Sequence, residues 1–296
     1  MGMNKGTTFS SFTLRCGEKL ATFDRPAVMG ILNITPDSFF DGGRYRTDEQ
    51  IIARATTMLQ EGADIIDIGA VSSRPGATLL PPDEEAARLV PAVKLLRQHF
   101  PQVLISVDTC FALPARQAIE AGANIVNDIS GGAFDKQMFA TVAELQVPYI
   151  LMHTTTTPDH MQDNPHYDDV VESVAQYLSE RLHQLRLMGV ADVIIDPGFG
   201  FGKTLEHNYQ LYAALPELVS LFPDTPLLVG ISRKSMVYRL CDCTPGEALQ
   251  GTTVLHALAV AAGAALLRVH DVKPAVDLVN RFYPQTPHAE TPQTAQ

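Results

Sequence analysis

VIIDPGFGFGK, residues 193–203, carries an apolar run into a carboxylate and then into a glycine loop. Pro197, Gly198, Gly200 and Gly202 forbid regular structure directly after Asp196, because proline lacks an amide donor and glycine is costly to order. Gly202-Lys203-Thr204 imitates the end of a nucleotide phosphate loop. That motif needs a glycine five residues before its final glycine, and Pro197 stands there. The unit is therefore a buried strand that presents a carboxylate at its C-terminal end, with a tight loop behind it. Lys203 reads as structural support.

The same unit recurs. Short apolar runs lie at 28–33 (VMGILN), 64–69 (DIIDIG), 103–107 (VLISV), 124–127 (NIVN), 148–152 (PYILM), 192–195 (DVII), 227–231 (LLVGI) and 265–269 (ALLRV). Near-continuous apolar runs suit strands covered on both faces, as in a parallel sheet. Helical patterns fill the gaps. Residues 48–61 set Ile51, Ile52, Ala55, Met58 and Leu59 on one stripe, opened by Asp48 and stopped by Gly62. Residues 169–188 do the same with Val170, Val171, Val174, Leu178, Leu182 and Leu185, and an alanine- and leucine-rich segment, 247–262, ends at Gly263. Pro91 inside 83–99 predicts a kink or the first turn of a helix. EGADIID at 61–67 is echoed by EAGANIVN at 120–127, each a helix end feeding a buried strand.

Eight strands alternating with helices predict one α/β domain, a single (β/α)8 TIM barrel over residues 26–283. Residues 1–25 read as a short N-terminal β-hairpin cap around Gly17, and 284–296, rich in Pro, Thr and Gln, as a disordered tail. An open doubly wound sheet is the competing architecture, but its dinucleotide fingerprint is absent.

The bulk composition agrees. The chain has 296 residues, 46% hydrophobic, with no tryptophan, enough for a large aliphatic core. A formal net charge of −11 argues against nucleic acid or a membrane surface as partner. The four cysteines include a lone C-x-C, Cys241 and Cys243, without a second pair at zinc spacing. No secretory signal or transmembrane run is visible, so a reducing cytoplasm is the expected compartment.

In such a barrel, chemistry collects at the C-terminal ends of the strands, and those positions are polar throughout. They carry Asn33, Asp67, Asp108, Asn127 with Asp128, His153, Asp196, the Ser232-Arg233-Lys234-Ser235 run, and Arg268 with His270 and Asp271. A lone aspartate at a strand end is usually a helix cap, and Asp271 is expected to be one. Asp67 and Asp128 are expected to support loops. Ser232, Arg233, Lys234, Arg268 and His270 form a cationic set in the last two loops, where barrels often bind phosphate. Asp108, Asn127 and Asp196 suit a flat heterocycle bearing N–H donors and ring acceptors. Asn33 with Asp41 offers oxygen ligands for Mg²⁺ beside a phosphate. Residues alone thus point to a polar heterocycle with a phosphate leaving group.

At these positions the chain resembles the dihydropteroate synthases across roughly 28–283. The likeness rests on GILNITPDSFFDGG (30–43), SSRPGA (72–77), SVDT (106–109), NDISGG (127–132), MQDNPHYDDV (161–170), DPGFGFGK (196–203), GISRKS (230–235) and RVHDV (268–272). The resemblance implies a folate-pathway transferase that joins 6-hydroxymethyl-7,8-dihydropterin diphosphate to 4-aminobenzoate and releases diphosphate. It also implies Mg²⁺ as cofactor, a homodimer, and sulfonamides as inhibitors.

Matched motif by motif, Asn33 would meet Mg²⁺ with the diphosphate, and Asp108, Asn127, Asp196 and Lys234 would hold the pterin, with Met152 and Phe201 lining its pocket. Arg268 and His270 would hold the diphosphate. Ser73, Arg74, Pro75 and Ser232 would shape the aminobenzoate site, and Asp41 would arrive on the first loop. Asp41, Asp108, Lys234 and Arg268 are the catalytic candidates.

Two segments depart from the family. Gly69-Ala70-Val71-Ser72-Ser73 replaces a Gly-Glu-Ser pattern, and four threonines, 154–157, replace a Met-x-Gly. A methyltetrahydrofolate-dependent methyltransferase would share the pterin contacts but has no use for SRKS. A non-catalytic relative would be expected to have lost Asn33, Lys234, Arg268 or His270, all of which are present.

Overall fold

The computed structural model describes residues 9–34, 47–71, 78–155, 157 and 165–284. The chain opens on an antiparallel hairpin, β1 (Phe12–Cys16) and β2 (Lys19–Phe23). Next come β3 (Ala27–Asn33), α1 (Asp48–Gln60), β4 (Ile65–Gly69), α2 (Pro82–His99), β5 (Leu104–Asp108), α3 (Ala112–Glu120), β6 (Ile125–Asp128) and α4 (Met138–Leu145). They are followed by β7 (Tyr149–Met152), α5 (Val170–Leu187), β8 (Val193–Asp196), α6 (Leu205–Ala213), α7 (Leu215–Leu221) and β9 (Leu228–Val229). The chain then forms α8 (Ser235–Tyr238), α9 (Leu249–Ala261), β10 (Leu266–Val269) and α10 (Val272–Phe282).

β3 to β10 form one eight-stranded parallel sheet in the order β8-β7-β6-β5-β4-β3-β10-β9. A parallel bridge between Ile195 and Leu227 joins its two ends, and the Ile195 amide donates to the Pro226 carbonyl at 2.9 Å. The sheet is thereby closed into the expected (β/α)8 barrel, with the expected hairpin ahead of it.

Three local expectations need correction. The seventh run was expected over 227–231, but its ladder covers only Leu228–Val229. The chain turns early, the Lys234 amide donating back to the Ile231 carbonyl at 3.0 Å. α1 is opened by Thr47 rather than Asp48. The Thr47 hydroxyl accepts the Gln50 amide at 3.3 Å while the Gln50 side chain accepts the Thr47 amide at 3.2 Å, a reciprocal cap. α2 starts at Pro82, where a missing amide costs nothing, and continues through Pro91, which is not its first turn.

Alternation along the strands separates two cores. Outward residues such as Val28, Ile66, Ile68, Val107, Val126 and Leu151 meet the helices. Inward residues at the N-terminal end, including Met29, Ile65, Ile125, Ile150, Ile194, Leu228 and Leu266, pack with Leu14, Cys16 and Phe23 of the hairpin. The hairpin therefore plugs the bottom of the barrel. Polar ties hold it there: the Arg25 guanidinium grips the Asp64 carboxylate through bonds of 3.0 and 2.9 Å, and the Arg15 amide donates to Asp192 at 2.7 Å. No helix among the described residues is long and apolar enough to cross a membrane. Residues 285–296 of the expected tail lie outside the described residues.

Leu14 is 1% exposed inside this plug. Leu14→Ala should destabilise the protein by about 2–5 kcal/mol, read as a lower urea midpoint. An unchanged midpoint would show that the hairpin contributes nothing to the core.

Candidate active site at the C-terminal mouth of the barrel

On five strands, the inward positions that are apolar at the bottom become polar two residues further along. Ile65 is followed by Asp67, Leu104 by Ser106 and Asp108, Ile125 by Asn127, Ile194 by Asp196 and Leu266 by Arg268. Strand register places Asn33 beside Gly69, Gly69 beside Asp108, and Asp108 beside Asn127. Met152 stands beside Asp196. Five of the sequence-selected residues, Asp108, Asn127, Asp196, Lys234 and Arg268, thus come from five separate segments to one mouth.

Arg268 is the hub of this mouth. Its Nε donates to Asp67 Oδ2 at 2.7 Å and an Nη to Asp108 Oδ2 at 2.6 Å. Asp67 Oδ2 also accepts the Asn127 side-chain amide at 3.0 Å, so one buried carboxylate aims both the guanidinium and the amide. Burial works against the Arg268 charge, but Asp67 and Asp108 outweigh it and hold the group protonated. Burial lifts the Asp108 carboxyl to about 7 against the pull of Arg268. Asp196 is likewise raised by burial and drawn back by Lys234. Lys234 is lowered by burial to about 8, with Asp196 opposing. Its ammonium donates to the Phe199 carbonyl at 2.6 Å and lies 4.6 Å from the centre of the Phe201 ring.

Met152 and Phe201 pack together with Cys110 and Ile129, and Phe134 lies against them. An apolar wall therefore faces the polar one, a combination that suits a flat ring with a polar edge.

On the other side, Ser232 Oγ accepts the His270 amide at 3.1 Å and lies 3.1 Å from His270 Nδ1. Burial, reinforced by Arg268 and Arg233, pushes the His270 imidazole down to about 3, so it is neutral near pH 7. Asp271 sits at the N-cap of α10 without making the expected cap bond. Its carboxylate instead takes the Arg233 guanidinium through bonds of 2.9 and 2.5 Å. Arg233, expected in the cationic set, is aimed by that pair.

A family model for pterin binding enzymes matches residues 29–270. The dihydropteroate synthase of Synechocystis is 45% identical over 252 residues, covering 84% of this chain and 86% of the relative. That of Escherichia coli K12 is 42% identical over 254 residues, 85% and 89% of the two chains. The chain belongs to the dihydropteroate synthase family.

Solved structures agree with this membership. The Yersinia pestis dihydropteroate synthase, crystallised with a sulfonamide drug complex, superposes with a TM-score of 0.86 at 40% identity over 92% of this chain and 98% of its own. The Xanthomonas albilineans dihydropteroate synthase with 7,8-dihydropteroate gives 0.80 at 39% identity, over 91% and 97%.

Four residues selected for this dihydropteroate synthase site, Asp41, Ser73, Arg74 and Pro75, lie outside the described residues. Asp128, expected to support a loop, accepts the Ser130 and Gly132 amides at 2.7 and 2.8 Å and the Tyr149 hydroxyl at 2.6 Å.

One buried acid escaped the sequence reading. Glu85, in the first turn of α2, is 2% exposed and lines a small pocket with Val71, Leu79, Asp108, Thr109, Cys110 and Ile129. Asp83-Glu84-Glu85 looks like the usual acidic start of a helix, and only burial singles out its last member.

Burial raises the Glu85 carboxyl from 4.5 to about 7, with a Thr109 hydrogen bond opposing. Between those pH values the unfolded chain sheds this proton first, so the native state loses stability as pH rises, by about 3 kcal/mol. Glu85→Gln should therefore unfold at higher urea than the parent near pH 8 and at about the same urea near pH 4. A gap between the two proteins that does not vary with pH would contradict this.

Proposed function

We propose that this chain condenses 6-hydroxymethyl-7,8-dihydropterin diphosphate with 4-aminobenzoate to give 7,8-dihydropteroate and diphosphate, a step of folate biosynthesis. The observation that carries the proposal is the single mouth in which Asp108, Asn127 and Asp196 face Lys234 and Arg268 in a chain of this family. Asp196 would accept the N–H groups of the pterin edge, and Asn127, already aimed by Asp67, would match a neighbouring donor and acceptor. Met152 and Phe201 would flank the ring. Ser232 is buried beside His270 and would border the aminobenzoate site together with Ser73, Arg74 and Pro75. Asp41 would arrive on the first loop.

The displacement is SN1-like. The exocyclic C–O bond breaks, diphosphate leaves with the electron pair, and positive charge develops on the pterin. The carboxylates Asp108 and Asp196 stabilise that cation in a site of low polarity. Arg268 uses its Nε and one Nη on protein carboxylates, which leaves the far nitrogen to meet the leaving oxygens. His270, neutral in the free protein, becomes easier to protonate when a diphosphate dianion arrives beside it. The aminobenzoate nitrogen lone pair then forms the C–N bond, and the resulting ammonium gives its proton to water. Lys234, stacked on Phe201 and tied to the Phe199 carbonyl, keeps the ring wall and Asp196 in register.

Mg²⁺ fits the donors present. Asn33 Oδ1 and Asp108 Oδ2 each lie 3.7 Å from the point where a Cβ on Gly69 would stand, so two oxygens face one glycine-cleared space. No group of three or more His, Cys, Asp or Glu among the described residues could cage a metal. An ion held by Asn33 and completed by substrate phosphates and water is the coordination Mg²⁺ favours. When bound, it would neutralise charge growing on the leaving diphosphate.

α9 leaves Val254 and Leu258, one turn apart on the same face, more than half exposed, which supports a homodimer formed through this helix. Sulfonamides, as aminobenzoate mimics, would compete at the site bordered by Ser73, Arg74, Pro75 and Ser232. A cytoplasmic setting suits the four free cysteines.

Asp196→Ala should weaken dihydropterin diphosphate binding by about 3 kcal/mol, roughly 100-fold, in calorimetry, and Lys234→Ala should weaken both substrates. Formation of 7,8-dihydropteroate should require Mg²⁺ and 4-aminobenzoate together, with one diphosphate released for each product. Unchanged pterin affinity in Asp196→Ala, or no dihydropteroate formed from the two substrates with Mg²⁺, would contradict the proposal.

A further inference from the structure

Lys203 is the sole charged residue in the loop 197–204, and it is 2% exposed. Its ammonium donates to His153 Nδ1 at 2.8 Å, to the Gly198 carbonyl at 2.9 Å and to the Phe201 carbonyl at 3.0 Å. An ammonium has three donors and no acceptor, so these bonds engage every hydrogen it carries. His153 is buried and neutral, its imidazole pushed well down by burial and by Lys203 itself. Its Nδ1 therefore accepts, and its proton sits on Nε2.

Each partner of Lys203 leads to the pterin half-site. Gly198 donates its amide to Asp196 Oδ1 at 2.8 Å. Phe201 contributes the ring that packs with Met152 and carries Lys234 over its face. His153 follows directly on Met152 at the end of β7, and its amide donates to the Asp196 carbonyl at 3.0 Å.

The two loops also interlock without side-chain charge. Gly198, at φ +72°, lies so close to His153 that a Cβ would stand 2.0 Å from the His153 carbonyl oxygen. Gly202, at φ +58°, would put a Cβ 2.5 Å from the Thr155 hydroxyl. Tyr167 donates its hydroxyl to the Gly202 carbonyl at 2.8 Å. The loop after β8 is thus laid onto the end of β7, and Lys203 is the pin between them.

We infer that Lys203 is a positioning residue for the pterin half-site, tying Gly198 and Phe201 to His153 so that the Asp196 carboxylate and the Phe201 ring keep the spacing a pterin needs. The inference rests on the proposed function. It assigns Lys203 no contact with substrate: its three donors are engaged by protein acceptors. Removing the ammonium would leave the Phe201 carbonyl and an imidazole nitrogen without this donor and the Gly198 carbonyl with only the Phe201 amide at 3.2 Å, and the loop would have to move to reach water.

The test is calorimetric binding of dihydropterin diphosphate, with KM measured for each substrate, on the full chain. Lys203→Met should weaken pterin binding and raise the pterin KM by roughly 10- to 100-fold. The KM for 4-aminobenzoate, taken at saturating pterin, should change little. His153→Leu, which removes one acceptor and leaves the other two, should show the same selective effect in smaller measure. His153→Gln, which keeps a side-chain carbonyl as acceptor, should restore most of the affinity.

His153→Leu and His153→Gln carry the test if Lys203→Met does not fold. Equal losses for both substrates, pterin affinity unchanged in a folded Lys203→Met, or no difference between His153→Leu and His153→Gln would overturn the inference while leaving the function standing. A parent protein that fails to bind dihydropterin diphosphate would overturn both.

Discussion

A guanidinium held between two carboxylates deep in the barrel sets the terms for everything above it. Arg268 bridges Asp67 and Asp108, and Asp67 in turn orients Asn127. Taking such charges out of water is expensive, and replacing a buried ion pair with apolar residues often stabilises a protein. Its presence here is therefore weak evidence of stability and better evidence of a preorganised site. The hairpin makes the arrangement possible, because the apolar plug beneath carries the packing that the polar half of the interior gives up.

Electrostatics and packing then divide the mouth between two tasks. On one side, raised carboxyls and a lowered lysine face each other near an aromatic wall, where charge on a bound ring would be felt strongly. On the other, Ser232, the neutral His270 and the Arg233–Asp271 pair build a polar rim. The glycine loop after β8 links the halves: it starts at Asp196, supplies Phe201 and receives Lys234 on the Phe199 carbonyl.

Much of this was legible from residue order. Runs such as VMGILN and VLISV are apolar on consecutive positions because helices cover one face while the barrel interior covers the other, and their ends matched the strands closely. The run LLVGI failed at its C-terminal end because the turn after Ile231, not hydrophobicity, ends the strand. Strand-end polarity located the mouth, but its pairings could not be read. Arg268 finds partners 201 and 160 residues away, and the Arg233–Asp271 pair spans 38 residues.

Position in the chain also misled. Asp48 looked like a cap because it begins the acidic turn, whereas Thr47 offers the reciprocal bonds with Gln50. Asp271 occupies a capping position and spends its carboxylate on Arg233. Glu85 was hidden among neighbouring acids. Lys203, by contrast, was read as support once Pro197 ruled out a phosphate loop, and its three protein acceptors agree with that reading.

The central claim is that this mouth is one preorganised site with a pterin end and a diphosphate end. A crystal structure with dihydropterin diphosphate and Mg²⁺ bound tests it most directly. The account predicts the pterin edge on Asp196 and Asn127, its ring between Met152 and Phe201, and the diphosphate reaching the free face of Arg268 beside His270. A pterin seated away from Asp196, or a diphosphate bound without Arg268, would contradict it.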